Sequence, residues 1–81
     1  MMRPLSDRLL HALHNLAAVS PDSAKTPREL AQLTQEPEDT IVPLLITEQA
    51  AGHVESVSDD KSERRYFLTG LGILRAVSML T

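Results

Sequence analysis

The chain has 81 residues, which is enough for one domain with a modest core, so residues 1–81 are expected to form a single domain. It has no cysteine, which excludes disulfides and thiolate zinc sites, and no stretch predicts a signal peptide or a membrane span; we therefore expect a cytoplasmic protein that does not contact a membrane. The formal net charge of −3 requires any nucleic-acid-binding surface to be local, because Lys and Arg side chains supply most duplex affinity.

Two helices are predicted in the first part of the chain. The first is leucine-rich, and Ser6 is its expected N-cap. After the polar turn SPDSAK, the segment TPREL has Thr26 as N-cap, Pro27 in the first helical position and Glu29 where a capping box requires it. These residues predict the start of a second helix. Its expected inward side chains are Leu30, Ala31 and Leu33.

A third helix is predicted after a few polar residues, with Pro37 in its first turn and Gly52 as the left-handed residue that closes it. Two short helices in close succession are typical of a helix-turn-helix. Pro43 lies inside this third helix, where proline costs ~3 kcal/mol relative to Ala. The helix is therefore either bent at Pro43 or shaped there for a contact.

A hairpin and a last helix are predicted in the remaining segment. VESV and RYFL are short β-prone runs joined by the polar connector SDDKSER. Thr69 is the expected cap of the helix in TGLGILRAVSML, and Leu68 is expected beside Val54 or Val57. The predicted fold class is α+β and mostly helical, with a three-helix core, a two-stranded hairpin and a C-terminal helix.

The segments TPRELAQLT, LLITEQAAGHV and RRYFLTGLG follow the leucine-rich helix in a characteristic order. Over nearly its whole length the chain resembles the winged helix-turn-helix domains of prokaryotic transcription regulators. In those families the hairpin, called the wing, commonly ends in an aromatic or aliphatic strand, then Leu-Thr, two residues and Gly, as in YFLTGLG. The resemblance implies that the chain binds double-stranded DNA, with the third helix in the major groove and the wing on phosphates or the minor groove.

The charges are distributed unevenly with respect to that implied interface. Residues 32–60 contain acidic side chains but no Lys or Arg, and among bidentate base readers the outward face of the third helix offers only Gln49. The candidate nucleic-acid-binding residues are Lys25, Thr26, Arg28, Gln49, Lys61, Arg64 and Arg65. Phosphate contacts are expected from the wing and from the start of the second helix, where backbone N–H groups and the helix dipole also favour an anion. For Arg64 and Arg65 the alternative is an exposed pair with Glu55, Asp59 or Glu63 across the hairpin.

The acidic and apolar outward face of the third helix supports a second function from another class. The domain would then be a protein-protein interaction module that does not bind DNA, and its candidate partner-binding residues are Val42, Pro43 and Ile46. The last helix has an apolar stripe wider than one core requires, which favours a homodimer unless the core covers both sides. The candidate dimer-interface residues are Leu71, Leu74, Val77 and Leu80.

Catalysis is not predicted, because the sequence shows no nucleophile with a placed base and no glycine-rich phosphate loop. His11 and His14 are interpreted as surface or packing residues, since two histidines without cysteine or paired carboxylates make a poor metal site. No cofactor or metal is expected. The favoured function is a small dimeric DNA-binding transcription regulator.

Overall fold

The computed structural model describes residues 4–78. Its elements are α1 (Leu5–Asn15), a 3-10 turn (Pro21–Ser23), α2 (Pro27–Thr34), α3 (Glu38–Ala50), β1 (Val54–Ser58), β2 (Arg64–Leu68) and α4 (Gly70–Ser78). The predicted order of three helices, a hairpin and a last helix is confirmed. Of the helices in the described part of the chain, none is long and apolar enough to cross a membrane.

The start of α1 differs from the prediction. Leu5 is its first residue and Pro4 occupies the N-cap position, so Ser6 lies inside the first turn and its assignment as N-cap is wrong. Proline suits this entry because its ring fixes φ and its missing N–H is not needed there. Leu9 and Leu13 of α1 are fully buried, which confirms the leucine-rich inner face.

The predicted capping box at α2 is present. The Glu29 N–H donates to the Thr26 hydroxyl at 3.1 Å, and the Thr26 N–H donates to the Glu29 carboxylate at 3.2 Å. The helix ends at Gln35, whose φ of 57° is left-handed. The two hydrogen bonds between Thr26 and Glu29 satisfy N–H groups that the start of a helix otherwise leaves unpaired.

The inner face of α2 is rotated from the predicted one. Leu30 and Ala31 are buried as expected, but Leu33 is 54% exposed and Thr34 is buried in its place. At about 100° per residue, Thr34 falls between Leu30 and Ala31 on the helix surface, whereas Leu33 falls outside them. The Thr34 hydroxyl donates to the Leu30 carbonyl at 2.8 Å, which satisfies a polar group inside the core.

Helix α3 runs through Pro43 and closes at Gly52, whose φ of +83° confirms the predicted left-handed residue. Ile41 and Leu45 are fully buried on its inner face. Glu48 is also buried, which the sequence did not predict, and its carboxylate lies 2.6 Å from the Nδ1 atom of His53. The pair connects the last turn of α3 to the residue that precedes β1.

Strand β2 lies at the centre of the wing, which we define as β1, β2 and the wing tip (residues 59–63). On one edge β2 pairs with β1 in antiparallel register, with Val54 opposite Leu68 as predicted. On the other edge, Tyr66 exchanges two backbone hydrogen bonds of 2.8 Å with Lys25. Tyr66 and Leu68 are buried in the core that α1, α2 and α3 form. The wing therefore closes one side of the helical core.

Helix α4 starts against the junction of α3 and β1. The Thr69 hydroxyl accepts from the Gly72 N–H at 3.0 Å, which confirms the predicted cap, and donates to the Gly52 carbonyl at 2.6 Å. The backbone approach is so close that a Cβ on Gly72 would lie 1.9 Å from the His53 carbonyl oxygen. Any residue larger than glycine at position 72 would therefore clash with the His53 backbone.

Gly72→Ala is expected to destabilise the domain by about 1 to 3 kcal/mol, because the added methyl group can be accommodated only if α4 moves away from His53. The matched control is Gly70→Ala in the same helix, where a Cβ would meet nothing within 4 Å. Thermal or denaturant unfolding monitored by circular dichroism measures both. Equal stability of the two variants would contradict the close approach.

Candidate nucleic-acid interface

The wing tip is an ordered turn built around Asp59. One carboxylate oxygen of Asp59, Oδ1, accepts hydrogen bonds from the Lys61 and Glu63 N–H groups, both at 2.9 Å. The Asp59 N–H donates to the Glu63 carbonyl at 2.9 Å, and Ser62 adopts a left-handed φ of 61°. Aspartate stabilises such turns because its side chain accepts from backbone groups that follow it. The tip thus has a defined shape.

Arg65 connects the wing tip to the first turn of α2. Its Nε atom lies 3.0 Å from Asp59 Oδ2, and one terminal nitrogen lies 3.3 Å from Glu29 Oε1. Its other terminal nitrogen lies 4.0 Å from Glu63. The hydrogen bond with Asp59 raises the pKa of the Arg65 guanidinium. The alternative of pairing across the hairpin is therefore realised for Arg65, with Asp59 and Glu63 among its partners.

The other candidate cations are more accessible. Arg64 is exposed and donates to the Ser56 hydroxyl at 2.9 Å, and Lys61 is exposed at the wing tip. Arg28 is 69% exposed and lies 3.4 Å from Glu63, a surface pair that contributes little. Within residues 4–78, Lys25, Lys61 and Arg64 have no carboxylate within 4.0 Å.

Lys25 and Arg64 lie on one face of the wing. Lys25 is directly opposite Tyr66 in the antiparallel bridge on the outer edge of β2, and Arg64 is two residues before Tyr66 in β2. Since side chains alternate along strands and directly paired residues share a face, all three side chains start on the same side. Lys61 lies at the tip of the same hairpin. Lys25 therefore lies on the segment paired with β2, Arg64 on β2 itself and Lys61 at the wing tip.

Thr26, also a candidate contact, is buried, and its hydroxyl is engaged in the capping box with Glu29. That box also places the Glu29 carboxylate in the first turn of α2, where a phosphate was expected to bind. Lys25 precedes this turn and Arg28 lies within it. The start of α2 therefore offers side-chain cations and not an open set of backbone N–H groups.

The outer surface of α3 has the acidic and apolar character that the sequence predicts. Gln49 and the candidate partner-binding residues Pro43 and Ile46 are exposed, while Val42 is half-buried. Glu38 and Asp39 form the first turn of the helix. Within residues 4–78, no Lys or Arg forms an ion pair with Glu38 or Asp39, and Gln49 does not adjoin the wing cations in sequence or in an observed contact.

The candidate dimer face of α4 is exposed in the described residues. Leu71, Leu74 and Val77 are 62%, 66% and 43% exposed, and their spacing of three residues places them along one side of the helix. Leu80 lies outside the described residues. Gly72 and Ala76 are buried on the opposite side of α4, toward α1 and the rest of the core.

Two functional contacts were missed by the sequence-based interpretation. The first is the double role of Asp59, for which the signal was an Asp at the start of the polar connector SDDKSER, where aspartate commonly caps a turn. The second is the pair of Glu48 and His53, which spans the end of α3 at a spacing of five residues that no helix or turn pattern of the sequence indicates. In residues 4–78, no group of three or more His, Asp or Glu side chains is placed to hold a metal ion.

Several solved structures have a similar fold. MepR of Staphylococcus aureus, a transcription regulator of the multidrug efflux pump MepA, matches with a TM-score of 0.80 and 17% identity over 93% of this chain and 53% of MepR. The MarR family transcriptional regulator SPO1453 of Silicibacter pomeroyi matches with a TM-score of 0.76 and 24% identity, over 98% of this chain and 52% of SPO1453. A candidate DNA-binding protein of Ralstonia eutropha matches with a TM-score of 0.81 and 18% identity, over 100% of both chains.

These similarities show that the fold is a winged helix-turn-helix, as predicted. No protein-family model and no curated protein sequence matches the chain. The chain spans about half the length of MepR and of SPO1453. MepR has also been solved in complex with DNA.

The hydrogen bonds from Glu63, Arg65 and Lys61 hold the pKa of the Asp59 carboxyl below its ordinary value of 3.8. Because the folded pKa is lowered, the ionised carboxylate stabilises the wing tip above pH 3.8, and this contribution is lost as pH falls through the lower folded pKa. A carboxyl-carbon NMR titration should therefore give Asp59 a pKa below 3.8. Arg65→Gln should raise it, and an unchanged value would show that the pair does not form in solution.

Proposed function

We propose that this domain is a DNA-binding transcription regulator that holds the duplex chiefly through phosphates. The observation that carries the proposal is that Lys61 and Arg64 of the wing are exposed and, like the half-buried Lys25 on the segment paired with β2, have no carboxylate within 4.0 Å in residues 4–78. Arg28 adds a further exposed cation near the wing tip. Cations of this kind supply the salt-dependent, sequence-independent part of duplex binding.

The similar solved structures support DNA over the alternative function. MepR is described as a transcription regulator and is seen with DNA, and the Ralstonia eutropha protein that matches over its whole length is described as a candidate DNA-binding protein. The alternative of a protein-interaction module acts through Val42, Pro43 and Ile46 on α3. Exposed apolar side chains are common on protein surfaces, so this face alone does not favour a protein partner.

Base readout is expected to contribute less than phosphate contact. Gln49 is the exposed side chain on α3 that can form a bidentate bond with adenine, while Glu38 and Asp39 would repel a phosphate backbone that approaches the first turn. Any preference for particular sequences would then depend on Gln49 and on the shape of the duplex.

Lys61→Ala and Arg64→Ala are each expected to weaken binding to a random duplex and to lower the slope of log affinity against log salt by about 0.9. Arg75→Ala is the matched control, since it removes one cation from α4, where Arg75 lies 3.9 Å from Asp7. Fluorescence anisotropy at several salt concentrations measures all four proteins. Wild-type affinity weaker than ~10⁻⁴ M at low salt would reject DNA as the target.

We also propose that the domain forms a homodimer through α4. Leu71, Leu74 and Val77 are evenly spaced about Leu74, so two copies related by a twofold axis can pair Leu71 of each with Val77 of the other. Such a pairing would remove the three most contiguous exposed apolar side chains on α4 from water. It would also present two wings to one duplex.

Leu74→Asp is expected to convert the dimer to a monomer, because it places a charge at the centre of the apolar contact. Leu33→Asp is the matched control, since Leu33 is 54% exposed on α2 and lies outside the proposed interface. Sedimentation velocity at micromolar concentrations distinguishes the two states. A monomeric wild-type protein, or loss of the dimer in the Leu33 variant alone, would contradict this interface.

A further inference from the structure

Among the basic side chains of the wing, Arg65 differs from Lys61 and Arg64 because carboxylates surround it. Asp59, Glu29 and Glu63 lie 3.0, 3.3 and 4.0 Å from its guanidinium nitrogens. These three negative charges exceed its single positive charge. Arg28 shares Glu63 with Arg65, but a phosphate that approached Arg65 would still meet the carboxylates of Asp59 and Glu29 and would have to displace existing hydrogen bonds.

We infer that Arg65 is a positioning residue and not a phosphate ligand: together with Asp59 it holds the wing tip on helix α2, so that Lys61 and Arg64 meet the phosphates of a duplex. The inference rests on the proposed DNA-binding function and deepens it. It replaces the sequence-based assignment of Arg65 as a direct contact with a role that acts through its neighbours.

The two carboxylate oxygens of Asp59 have separate roles in this arrangement. Oδ1 accepts from the N–H groups of Lys61 and Glu63 and so forms the turn. Oδ2 accepts from Arg65 Nε, which lies on β2. Arg65 in turn reaches Glu29, whose carboxylate also closes the capping box of α2. A continuous series of hydrogen bonds thus joins the backbone of Lys61 to the first turn of α2.

A second contact strengthens this connection. Arg28 in the first turn of α2 lies 3.4 Å from Glu63, which belongs to the wing tip and also lies near Arg65. Two cations, one from α2 and one from β2, therefore hold the same acidic side of the tip. The exposed side chains of Lys61 and Arg64 do not take part in these ion pairs.

A positioning role for Asp59 predicts an effect on duplex binding opposite to the effect expected from charge repulsion alone. Removing a carboxylate near a polyanion binding site should strengthen binding if the charge acts only through space. If Asp59 holds the wing tip, Asp59→Asn should instead weaken duplex binding, by roughly threefold to tenfold, because the loosened tip must be ordered when DNA binds. Asn keeps the size of the side chain and removes its charge.

Asp60→Asn is the matched control, since Asp60 is the next residue, is exposed, and has no hydrogen bond or ion pair among the described contacts. It should bind a random duplex as tightly as wild type or more tightly. Anisotropy titrations at several salt concentrations compare the two variants. Tighter binding by both variants would overturn the inference, because Asp59 would then act only as a repulsive charge.

A measurement without DNA tests the same contact. Hydrogen exchange of the Lys61 and Glu63 amides should accelerate in Asp59→Ala, which removes the accepting oxygen, and not in Asp60→Ala, since only Asp59 accepts from those N–H groups. Unchanged exchange in both variants would also overturn the inference.

Arg65 variants separate positioning from direct contact. Arg65→Gln should weaken binding while lowering the salt slope by less than Arg64→Ala does, and Arg65→Lys should rescue it poorly because an ammonium cannot reproduce the fork that spans three carboxylates. The double variant of Asp59→Asn and Arg65→Gln should bind no more weakly than the weaker-binding single variant.

A different outcome would identify Arg65 as a phosphate ligand: a loss of about 0.9 in the slope of log affinity against log salt in Arg65→Gln, with the slope restored in Arg65→Lys. If wild type does not bind DNA, the proposed function fails, and the positioning role fails with it even where exchange shows that Asp59 orders the tip.

Discussion

The two backbone hydrogen bonds between Lys25 and Tyr66 determine how the parts of this small domain are arranged. They attach the segment before α2 to the free edge of β2, whose other edge pairs with β1. Tyr66, Phe67 and Leu68 are buried in consecutive positions, so β2 contacts apolar groups on both faces. The wing of this protein is therefore part of the core. Its position relative to α2 is set by the main chain before any side-chain ion pair contributes.

This arrangement explains how a chain with a net charge of −3 can still present exposed cations at the wing. The main-chain pairing brings Lys25 to the strand that carries Arg64, although the residues are far apart in sequence. The carboxylates of the same region are largely engaged with Arg65 and Arg28, and this pairing leaves other cations free of them. The surface charge thus depends on which acidic groups are paired. The overall charge of the chain does not reveal it.

The elements and their boundaries were largely predictable because local chemistry specifies them. The N-terminal N–H groups of α2 and α4 are capped by Thr26 with Glu29 and by Thr69, and α3 is ended by Gly52, all of which are close in sequence to the helix ends concerned. Apart from the N-cap of α1 and the turn at Asp59, which are local, the errors and omissions concern tertiary contacts. Leu33 looks like a core residue until the position of α1 and α3 determines which side of α2 is covered, and the partners of Arg65 come from α2 and from the wing tip. Spacing along one segment contains no information about such partners.

The first turn of α3 shows how stability and nucleic-acid binding can oppose each other. Its N-cap, Pro37, makes no side-chain hydrogen bond to the helix, so Glu38 and Asp39 are the side chains that complement the positive end of the helix dipole. In a domain that places this helix end near DNA, a phosphate would perform the same role. Here the two carboxylates already occupy it, and a phosphate would add like charge. The stability of α3 therefore does not require DNA, and the DNA binding that we propose would depend on the wing and its neighbouring cations.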